Sequence, residues 1–383
     1  MSVLQTAPTA LIRGDDAIEA LTRRFGVGSR VLVVHGPVGF SMVNERLAAA
    51  LERAGVVAVA ALHEGPCCGS AIDAHAAAAE RERVDWVLGV GGGRVIDAAK
   101  GAAQRTRTPF ASLPTSPATC AATAPTVVLY DERGAHVEAL EGGTSAAACA
   151  LVPDLLASAP DRLLAAGIVD AWAKVHEVRL TAARLDAVGA TTRAALALVD
   201  DLAALLREHA HAAMAAGPGG ARDASLLPTR RLVAEAVVVY PGLIGGLAGA
   251  DAKLALAHPL HDALTQLPGA RAALHGEKVG FGTLVQLRLA GLDGRDASIE
   301  TRVDAMRAEA AAYAALGVVC HLEALGCGEA RSGDALERTV RRALADDSVH
   351  NALPALSHET LRSAVCEVDD WVRRTHGSGG RSG

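Results

Sequence analysis

Residues 85–100 have the sequence DWVLGVGGGRVIDAAK, and this stretch carries the strongest fold signal in the chain. A short apolar run, typical of a buried strand, leads into Gly91, Gly92 and Gly93, and a helical pattern begins at Val95. A strand that enters a helix through a glycine turn is the repeating unit of a parallel α/β sheet. Such a turn also lets the backbone approach a phosphate at a helix N-terminus. Because the spacing is not G-x-G-x-x-G, a tight turn without a ligand is equally compatible with it.

The same alternation of strand and helix patterns extends over the first part of the chain, whereas the second part is helical throughout. Strand-like or extended runs occupy 29–37, 56–62, 108–116 and 124–134, and helical patterns occupy 41–55, 71–84 and 95–105. We predict a doubly wound α/β domain at residues 1–160, an all-helical domain at 161–375 and a flexible tail at 376–383. A cleft between two such domains is a common place for a ligand.

Composition limits the classes of function. The 383 residues are enough for about two domains, 50% of them are hydrophobic, and the net charge of −6 gives no reason to expect nucleic acid as a partner. No uninterrupted apolar run reaches about 18 residues, and the first residues lack the basic start and apolar core of a secretory signal. The seven cysteines show no disulfide-framework spacing. We therefore expect a cytoplasmic protein with reduced cysteines that binds neither a membrane nor nucleic acid. We also expect it to be a homo-oligomer.

The segment 113–125, LPTSPATCAATAP, is rich in small hydroxyl residues and alanine. A loop of this composition can lie against a flat ring or a pyrophosphate. It can equally be a rigid surface loop, and the segment alone does not separate the two interpretations.

Three histidines, His258, His261 and His275, lie in the Ala/Leu-rich stretch 254–284. On a helix, His258 and His261 share one face, and Pro259 bends that helix or starts it. The histidines are either core or surface residues satisfied by hydrogen bonds, or ligands of a metal. Two histidines and a carboxylate would form the open three-ligand site that catalytic zinc uses.

A candidate carboxylate lies in the helical segment 165–180, AAGIVDAWAKVHEVRL. Asp170, Lys174 and Glu177 fall on one face of this helix. They form either a solvated charged face or, since apolar residues flank them, a buried set in which Asp170 needs a partner such as a metal.

Several segments, taken together and in their order, resemble the iron-containing alcohol dehydrogenase and glycerol dehydrogenase superfamily. They are GVGGGRVIDAAK, the PT…AT loop, LVPDLLASAPDRLLAAGIVDAWAKVHE, LALAHPLHDAL and LHGEKVGFGTLVQL, and the resemblance covers about residues 15–370. It implies a dehydroquinate synthase-like fold, with an N-terminal dinucleotide-binding α/β domain, a C-terminal all-helical domain, and metal and nicotinamide meeting in the cleft. It also implies an NAD- or NADP-dependent dehydrogenase.

The resemblance implies a metal site of Asp170, His258 and His275, with His261 beside it as a proton relay. The iron-type branch has a fourth ligand, a histidine four residues after the aspartate. Lys174 occupies that position here, so a zinc-type site with three ligands is expected, although iron stays an alternative. Lys174 is retained as a candidate catalytic residue.

The resemblance also implies the cofactor contacts. The turn of Gly91, Gly92 and Gly93 would hold the pyrophosphate. The remaining contacts would come from Asp97, Thr115, Ser116 and Thr119. The first strand ends in HGPVG, without the acidic residue expected to bind the ribose hydroxyls, which leaves NAD and NADP both open.

Three positions depart from the family pattern. Cys120 stands where glycerol dehydrogenases usually have an aspartate near the substrate, which argues against glycerol and favours a hydroxycarboxylate dehydrogenase-like branch. Val169 replaces the glycine that usually precedes the metal-binding aspartate, and Arg94 replaces a lysine in the glycine loop. We predict a dehydrogenase that oxidises the secondary hydroxyl of a hydroxy acid or reduces the corresponding ketone, with Cys120 at the substrate.

Three alternatives stay open at this point. Similar proteins in daptide-type gene clusters oxidise the C-terminal threonine of a ribosomally made peptide, and the β-keto acid then loses CO₂. A carbocycle-forming synthase would need several basic residues to bind a sugar phosphate, but the stretch 254–284 offers only Arg271 and Lys278. A non-catalytic binding module would explain Val169 and Cys120, but not the retention of all three ligand positions.

Overall fold

The computed structural model describes residues 6, 8–140, 145–250, 252–290 and 298–376. Contacts divide the chain into two compact units. The sheet unit contains Met1–Leu164 and Ala212–Gly246, and the helical unit contains Ala165–His211 and Leu247–Gly383.

The sheet unit contains a six-stranded sheet in the order β1-β8-β5-β4-β2-β3, with every pair parallel, and an antiparallel hairpin of β6 and β7. The strands are β1 (Leu11–Arg13), β2 (Arg30–His35), β3 (Val57–Leu62), β4 (Trp86–Gly91), β5 (Phe110–Pro114), β6 (Val127–Tyr130), β7 (His136–Leu140) and β8 (Ala148–Leu151). From β2 the chain runs to β3 on one side and then returns to β4 on the other. This change of direction opens a crevice at the carboxyl ends of β2 and β4, where doubly wound sheets bind ligands.

Fifteen α-helices complete the part of the chain that the structure describes. They are α1 (Ala17–Phe25), α2 (Pro37–Ser41), α3 (Asn44–Arg53), α4 (Gly69–Glu82), α5 (Gly93–Thr106), α6 (Pro153–Ala157), α7 (Asp161–Ala182), α8 (Ala190–Ala216), α9 (Leu227–Ala248), α10 (Ala257–Leu264), α11 (His275–Ala290), α12 (Ile299–Ala315), α13 (Gly333–Leu344), α14 (Asp347–Ala352) and α15 (His358–His376). The predicted fold class, an α/β part with a parallel sheet followed by a helical part, is confirmed.

The observed units do not follow the predicted single boundary at residue 160. The segment Ala212–Gly246, predicted to lie in the helical domain, belongs to the sheet unit. Arg13 in β1 pairs with Glu235 in α9 at 2.6 Å, and the Thr123 hydroxyl donates to the Val238 carbonyl at 2.6 Å. A helical pattern indicates which face of a helix is apolar but not which unit that face packs against. We therefore predicted from the pattern that these residues belong with the other helices.

Two further expectations concern a membrane-spanning segment and the tail of the chain. The helical stretch Ala224–Ala248 has the length and apolar composition to cross a membrane, but 56% of its most apolar window is buried inside the protein. Core helices of soluble proteins show the same combination. Of the predicted tail 376–383, His376 ends α15, and residues 377–383 lie outside the described residues.

Candidate active site

Asp170, His258 and His275 come together in the helical unit. Each offers one ligand atom, and these atoms lie within 4.8 Å of one another. Nε2 of His258 is 3.4 Å and Nε2 of His275 is 3.2 Å from Oδ1 of Asp170. The structure thus brings the three predicted ligands to one point.

Glycines in α11 allow the three ligand-bearing helices to pack this closely. A Cβ atom on Gly276 would collide with the Ala166 carbonyl of α7, and one on Gly282 would collide with the Ala257 carbonyl of α10. A Cβ on Gly280 would lie 2.7 Å from Cγ1 of Val169. The absent side chains therefore let His275 approach Asp170 and His258, and Gly280 makes the room that Val169 occupies.

Glu177 holds His258 from behind. The Nδ1–H of His258 donates to Oε2 of Glu177 at 2.6 Å, since a carboxylate can only accept. Oε1 of Glu177 accepts the backbone amides of Ala255 at 3.1 Å and of His258 at 3.2 Å. Because Nδ1–H is engaged by Glu177, Nε2 is the nitrogen of His258 that faces Asp170, and it can serve as a metal ligand once its own proton is displaced.

Lys174 supports Glu177 and does not reach for the ligand cluster. Its ammonium donates to Oε2 of Glu177 at 3.2 Å and to the Lys253 carbonyl at 2.7 Å. Burial alone would raise the pKa of the Glu177 carboxyl, but the charges of His258 and Lys174 outweigh burial and lower it to about 2. These contacts support a positioning role for Lys174, and its predicted catalytic role stays a prediction.

His261 stands behind His275 in a similar way. Nδ1 of His261 donates to Oδ1 of Asp262 at 2.8 Å, which leaves Nε2 of His261 to accept Nδ1–H of His275 at 3.0 Å. Nε2 of His275 then faces Asp170. Both ring nitrogens of His261 are engaged, so the geometry supports a positioning role, and the proton relay stays a prediction.

The chemistry of this cluster fits a divalent cation. Asp170 is 5% exposed, and its Oδ1 accepts no hydrogen bond although it is buried between two imidazoles. Burial alone would raise the pKa of the Asp170 carboxyl, but the neighbouring His275 and His258 hold it well below its usual range. One carboxylate oxygen and two imidazole nitrogens suit either zinc or ferrous iron, and they leave coordination positions open for a substrate.

The predicted cofactor residues also converge, in the sheet unit. The glycine turn, residues 91–93, lies at the end of β4, and the segment 113–125, which we call the hydroxyl loop, begins at the end of the neighbouring strand β5. A Cβ on Gly93 would lie 2.8 Å from Oγ1 of Thr119, whereas a Cβ on Gly92 would lie 3.6 Å from Oγ of Ser116. The amide of Thr115 donates to the Gly91 carbonyl at 3.1 Å. The hydroxyl loop therefore lies directly over the turn. Its close packing on Gly93 is a structural reason for a glycine at that position, whether or not a ligand binds.

Asp97 has an internal role that the sequence did not indicate. Its Oδ1 accepts from the Lys100 ammonium at 3.1 Å, and its Oδ2 accepts the Val128 amide at 3.3 Å. Lys100, 0% exposed, also donates to the Ala121 and Thr126 carbonyls, each at 2.8 Å. The pair fastens α5 to the end of the hydroxyl loop, and contact between Asp97 and a cofactor stays a prediction. Lys100 was missed because lysine on a helix is usually exposed.

Cys120 lies in the same loop, next to Thr119, and is half-buried. Its carbonyl accepts the amides of Thr123 and Ala124, each at 2.9 Å. The Thr123 hydroxyl, bound to Val238, anchors this turn to α9. The hydrogen bonds of the Cys120 carbonyl, together with the contact of Thr123 to α9, therefore fix the position of Cys120 in the loop.

Comparison with known proteins agrees with this arrangement. The pattern of the family described as iron-containing alcohol dehydrogenase matches residues 8–153. An uncharacterized oxidoreductase of Synechocystis sp. is 32% identical, over 94% of this chain and 90% of its own length. Hydroxycarboxylate dehydrogenase A of Escherichia coli strain K12 is 29% identical, over 90% of each chain. Glycerol dehydrogenase of Escherichia coli O6:H1 is 34% identical, over 74% of this chain and 76% of its own length.

A solved structure of a probable glycerol dehydrogenase from Sinorhizobium meliloti 1021 superposes with a TM-score of 0.78 at 25% identity, covering 98% of this chain and 100% of that one. The resemblance stated from the sequence motifs is confirmed. The chain is an oxidoreductase of the iron-containing alcohol dehydrogenase and glycerol dehydrogenase superfamily, whose members depend on a metal and on NAD.

Proposed function

We propose that the protein is a metal- and NAD(P)-dependent dehydrogenase of hydroxy acids. The reaction converts a secondary alcohol beside or near a carboxylate, together with NAD⁺ or NADP⁺, into the ketone, the reduced nicotinamide and one proton, or runs in reverse. The observation that carries the proposal is the buried Oδ1 of Asp170, which lacks a hydrogen bond and faces two imidazoles.

In this proposal Asp170, His258 and His275 hold the cation, zinc or iron, and the glycine turn holds the dinucleotide. When bound, the cation would supply Lewis acidity and the dinucleotide would supply the hydride-transfer chemistry. The residues of the chain supply orientation. Glu177 fixes the ring of His258, and His261 fixes that of His275, so both Nε2 atoms stay directed at Asp170.

Cys120 supports a carboxylate-bearing substrate over glycerol. The family resemblance places this position beside the substrate, where glycerol dehydrogenases have an aspartate. A thiol is a weak acceptor and is neutral near pH 7 unless its pKa is lowered, so it does not repel a carboxylate. Repulsion between two like charges about 4 Å apart is worth about 1–4 kcal/mol, which is enough to decide specificity. The match to hydroxycarboxylate dehydrogenase A over 90% of the chain supports the same choice.

The proposal is tested with protein purified with its bound metal. Hydroxy acids, polyols including glycerol, and a threonine-ended peptide are compared with NAD⁺ and with NADP⁺ by the absorbance of the reduced nicotinamide. The expected result is turnover of a hydroxy acid that stops when a chelator removes the metal. A protein that purifies without metal and binds none would overturn the class of reaction. Faster turnover of glycerol than of every acid would overturn only the choice of substrate.

Cys120→Asp sharpens the substrate assignment. The added carboxylate is expected to lower kcat/KM for the hydroxy acid by roughly 5- to 1,000-fold, corresponding to 1–4 kcal/mol. Activity on a neutral diol should be unchanged or higher. Cys120→Ser is the matched control, because it keeps the size and the neutrality and should retain the activity on the acid.

We further propose that the protein acts in the cytoplasm. None of its seven cysteines is part of a framework of disulfide spacing, and reduced thiols are usual in that compartment.

A further inference from the structure

The order of the strands indicates where the adenosine half of a dinucleotide would lie. On one side of the glycine turn the sheet runs β4-β2-β3. This is the order of the glycine-turn strand and its two neighbours in a doubly wound dinucleotide-binding sheet. In such sheets the strand next to the glycine turn ends beside the adenosine ribose, and a carboxylate there binds the 2′-hydroxyl of NAD. Here that strand is β2, and it ends at His35.

Basic side chains come from three elements at this end of the sheet. The carbonyl of His35 accepts the amide of His63, which directly follows β3, at 2.8 Å. On the other side, a Cβ atom on Gly36 would lie 3.1 Å from Cγ2 of Val95 in α5. The residue after His35 therefore packs against the residue after Arg94. His35, His63 and Arg94 thus surround the place where the ribose would lie.

Arg94 is available to bind an anion. It is exposed at the start of α5, and it pairs with no carboxylate of the described residues. Burial lowers the pKa of the His63 imidazole, and the positive charge of Arg94 lowers it further. Since His63 belongs to β3, the guanidinium acts on the side of the glycine turn where the adenosine would lie.

His63 has one ring nitrogen without a partner. The side chain is 4% exposed, its Nδ1 lies 3.2 Å from Nε2 of His75, and its Nε2 is buried without a hydrogen bond. When His75 donates to Nδ1, the proton of the neutral His63 ring is on Nε2, which can then donate to an anion. A phosphate oxygen at this place would satisfy that donor.

We propose that Arg94, His35 and His63 bind the 2′-phosphate of NADP, so that NADP rather than NAD is the preferred coenzyme. The inference rests on the proposed dehydrogenase function, because it names the coenzyme of that reaction. A phosphate monoester carries a charge of about −1.5 to −2 near pH 7 and forms strong charge-assisted hydrogen bonds with a guanidinium. The exposed Glu64, which follows His63, is the acidic side chain that would favour ribose hydroxyls instead, and the experiment includes it.

The experiment is an equilibrium titration of the full-length protein with NADP⁺ and with NAD⁺. NADP⁺ should bind about 10- to 100-fold more tightly, the range expected for hydrogen bonds to a charged group. Arg94→Gln should weaken NADP⁺ binding by about tenfold and leave NAD⁺ binding nearly unchanged. Arg105→Gln is the matched control, because Arg105 is an exposed arginine in the last turn of the same helix and should affect neither coenzyme.

His35→Asp should reverse the preference. The added carboxylate repels a 2′-phosphate but accepts a 2′-hydroxyl, so NADP⁺ binding should fall and NAD⁺ binding should hold or rise. His35→Asn is its control, because it also removes the imidazole ring, which stacks on Phe40 at 3.9 Å between centroids, but adds no charge. Adenosine 2′,5′-bisphosphate should displace NADP⁺ more effectively than AMP does, which assigns the preference to the adenosine half.

Three results would overturn the inference. Equal affinity for the two coenzymes would do so and leave the proposed function intact. An equal loss of both coenzymes in Arg94→Gln would assign Arg94 to the pyrophosphate. A preference for NAD⁺ that Glu64→Gln abolishes would assign the ribose to Glu64.

Two further outcomes are also decisive. Binding of neither coenzyme would overturn the dinucleotide part of the proposed function together with this inference. If His35→Asp fails to fold, the comparison of Arg94→Gln with Arg105→Gln decides by itself.

Discussion

The two candidate sites of this protein, the metal cluster in the helical unit and the glycine turn in the sheet unit, are built in opposite ways. At the metal cluster, charged side chains point at one buried place, and a second layer, Glu177 and His261, holds each histidine. At the glycine turn, side chains are missing, and the charged pair nearby, Asp97 and Lys100, is turned inwards to support the loop. One site is defined by an unsatisfied carboxylate oxygen, the other by room for a backbone to approach a ligand. Substitutions that change charge should therefore have the larger effect at the metal cluster, and substitutions that add volume should have the larger effect at the glycine turn.

The largest effect is expected from Asp170→Asn. The amide keeps the shape of the carboxylate but removes the negative charge that faces both imidazoles, so metal affinity should fall by more than about 100-fold. Elemental analysis and chelator competition measure this directly. Asp262→Asn, one step further from the metal behind His261, serves as the control and should lose less. Full metal content in Asp170→Asn would remove this residue from the site.

Glu177→Gln should have the next largest effect, a loss of about 10- to 100-fold in metal affinity. Glu177 accepts four donors, and a glutamine would turn its NH₂ group towards some of them. The ring of His258 would then lose its fixed orientation. The same chelator competition measures the change, and thermal unfolding of the metal-free protein separates it from a general loss of stability. Unchanged affinity would show that His258 is oriented by other contacts.

Metal affinity should also rise with pH, by about tenfold per unit. Burial would lower the pKa of the His258 imidazole, but the carboxylates of Glu177 and Asp170 outweigh burial and raise it to about 9. Below that pH the imidazole of the metal-free protein carries a proton that a metal must displace, so affinity increases towards pH 9 and then levels off. Titrations between about pH 6 and pH 9 test this dependence. In Glu177→Gln the plateau should begin at lower pH, whereas a flat profile in the native protein would contradict the prediction.

The smallest of the four effects concerns the glycine turn. Gly92→Ala should weaken binding of the dinucleotide by about tenfold or more, equivalent to about 1.4 kcal/mol, without changing metal content. Its Cβ meets only Oγ of Ser116 at 3.6 Å, so the fold itself has room for it. Equilibrium titration of the cofactor measures the change, and equal affinity would show that the turn is structural.

Gly93→Ala makes the matched comparison, because its Cβ would lie 2.8 Å from Oγ1 of Thr119. This variant should lower the free energy of unfolding as well as cofactor affinity. If both variants lose only stability, the turn serves packing and not binding.

Local sequence patterns were sufficient to predict the longer helices and strands. The apolar run and glycines of 85–100 predicted β4, the turn and α5, and the ordered motifs named Asp170, His258 and His275 as ligands, which the structure brings together. The strands β1 and β8 were not predicted. Each has only three or four residues, and they pair with one another from opposite ends of the sheet unit's first segment. Such short strands are specified by their neighbours more than by their own periodicity.

By itself, then, the sequence determined the elements with strong periodicity and the order of the motifs, because these are carried by neighbouring residues, and the family resemblance of those motifs predicted the metal ligands. Only the tertiary structure decided which groups face each other. Glu177 meets His258 across 81 residues, Lys100 reaches the carbonyl of Thr126, and α9 joins the sheet unit although its pattern equals that of the other helices. The physical reason is that a helix pattern fixes the side of a residue but not its partner. A buried polar group accepts whichever donor the packed chain brings within about 3 Å.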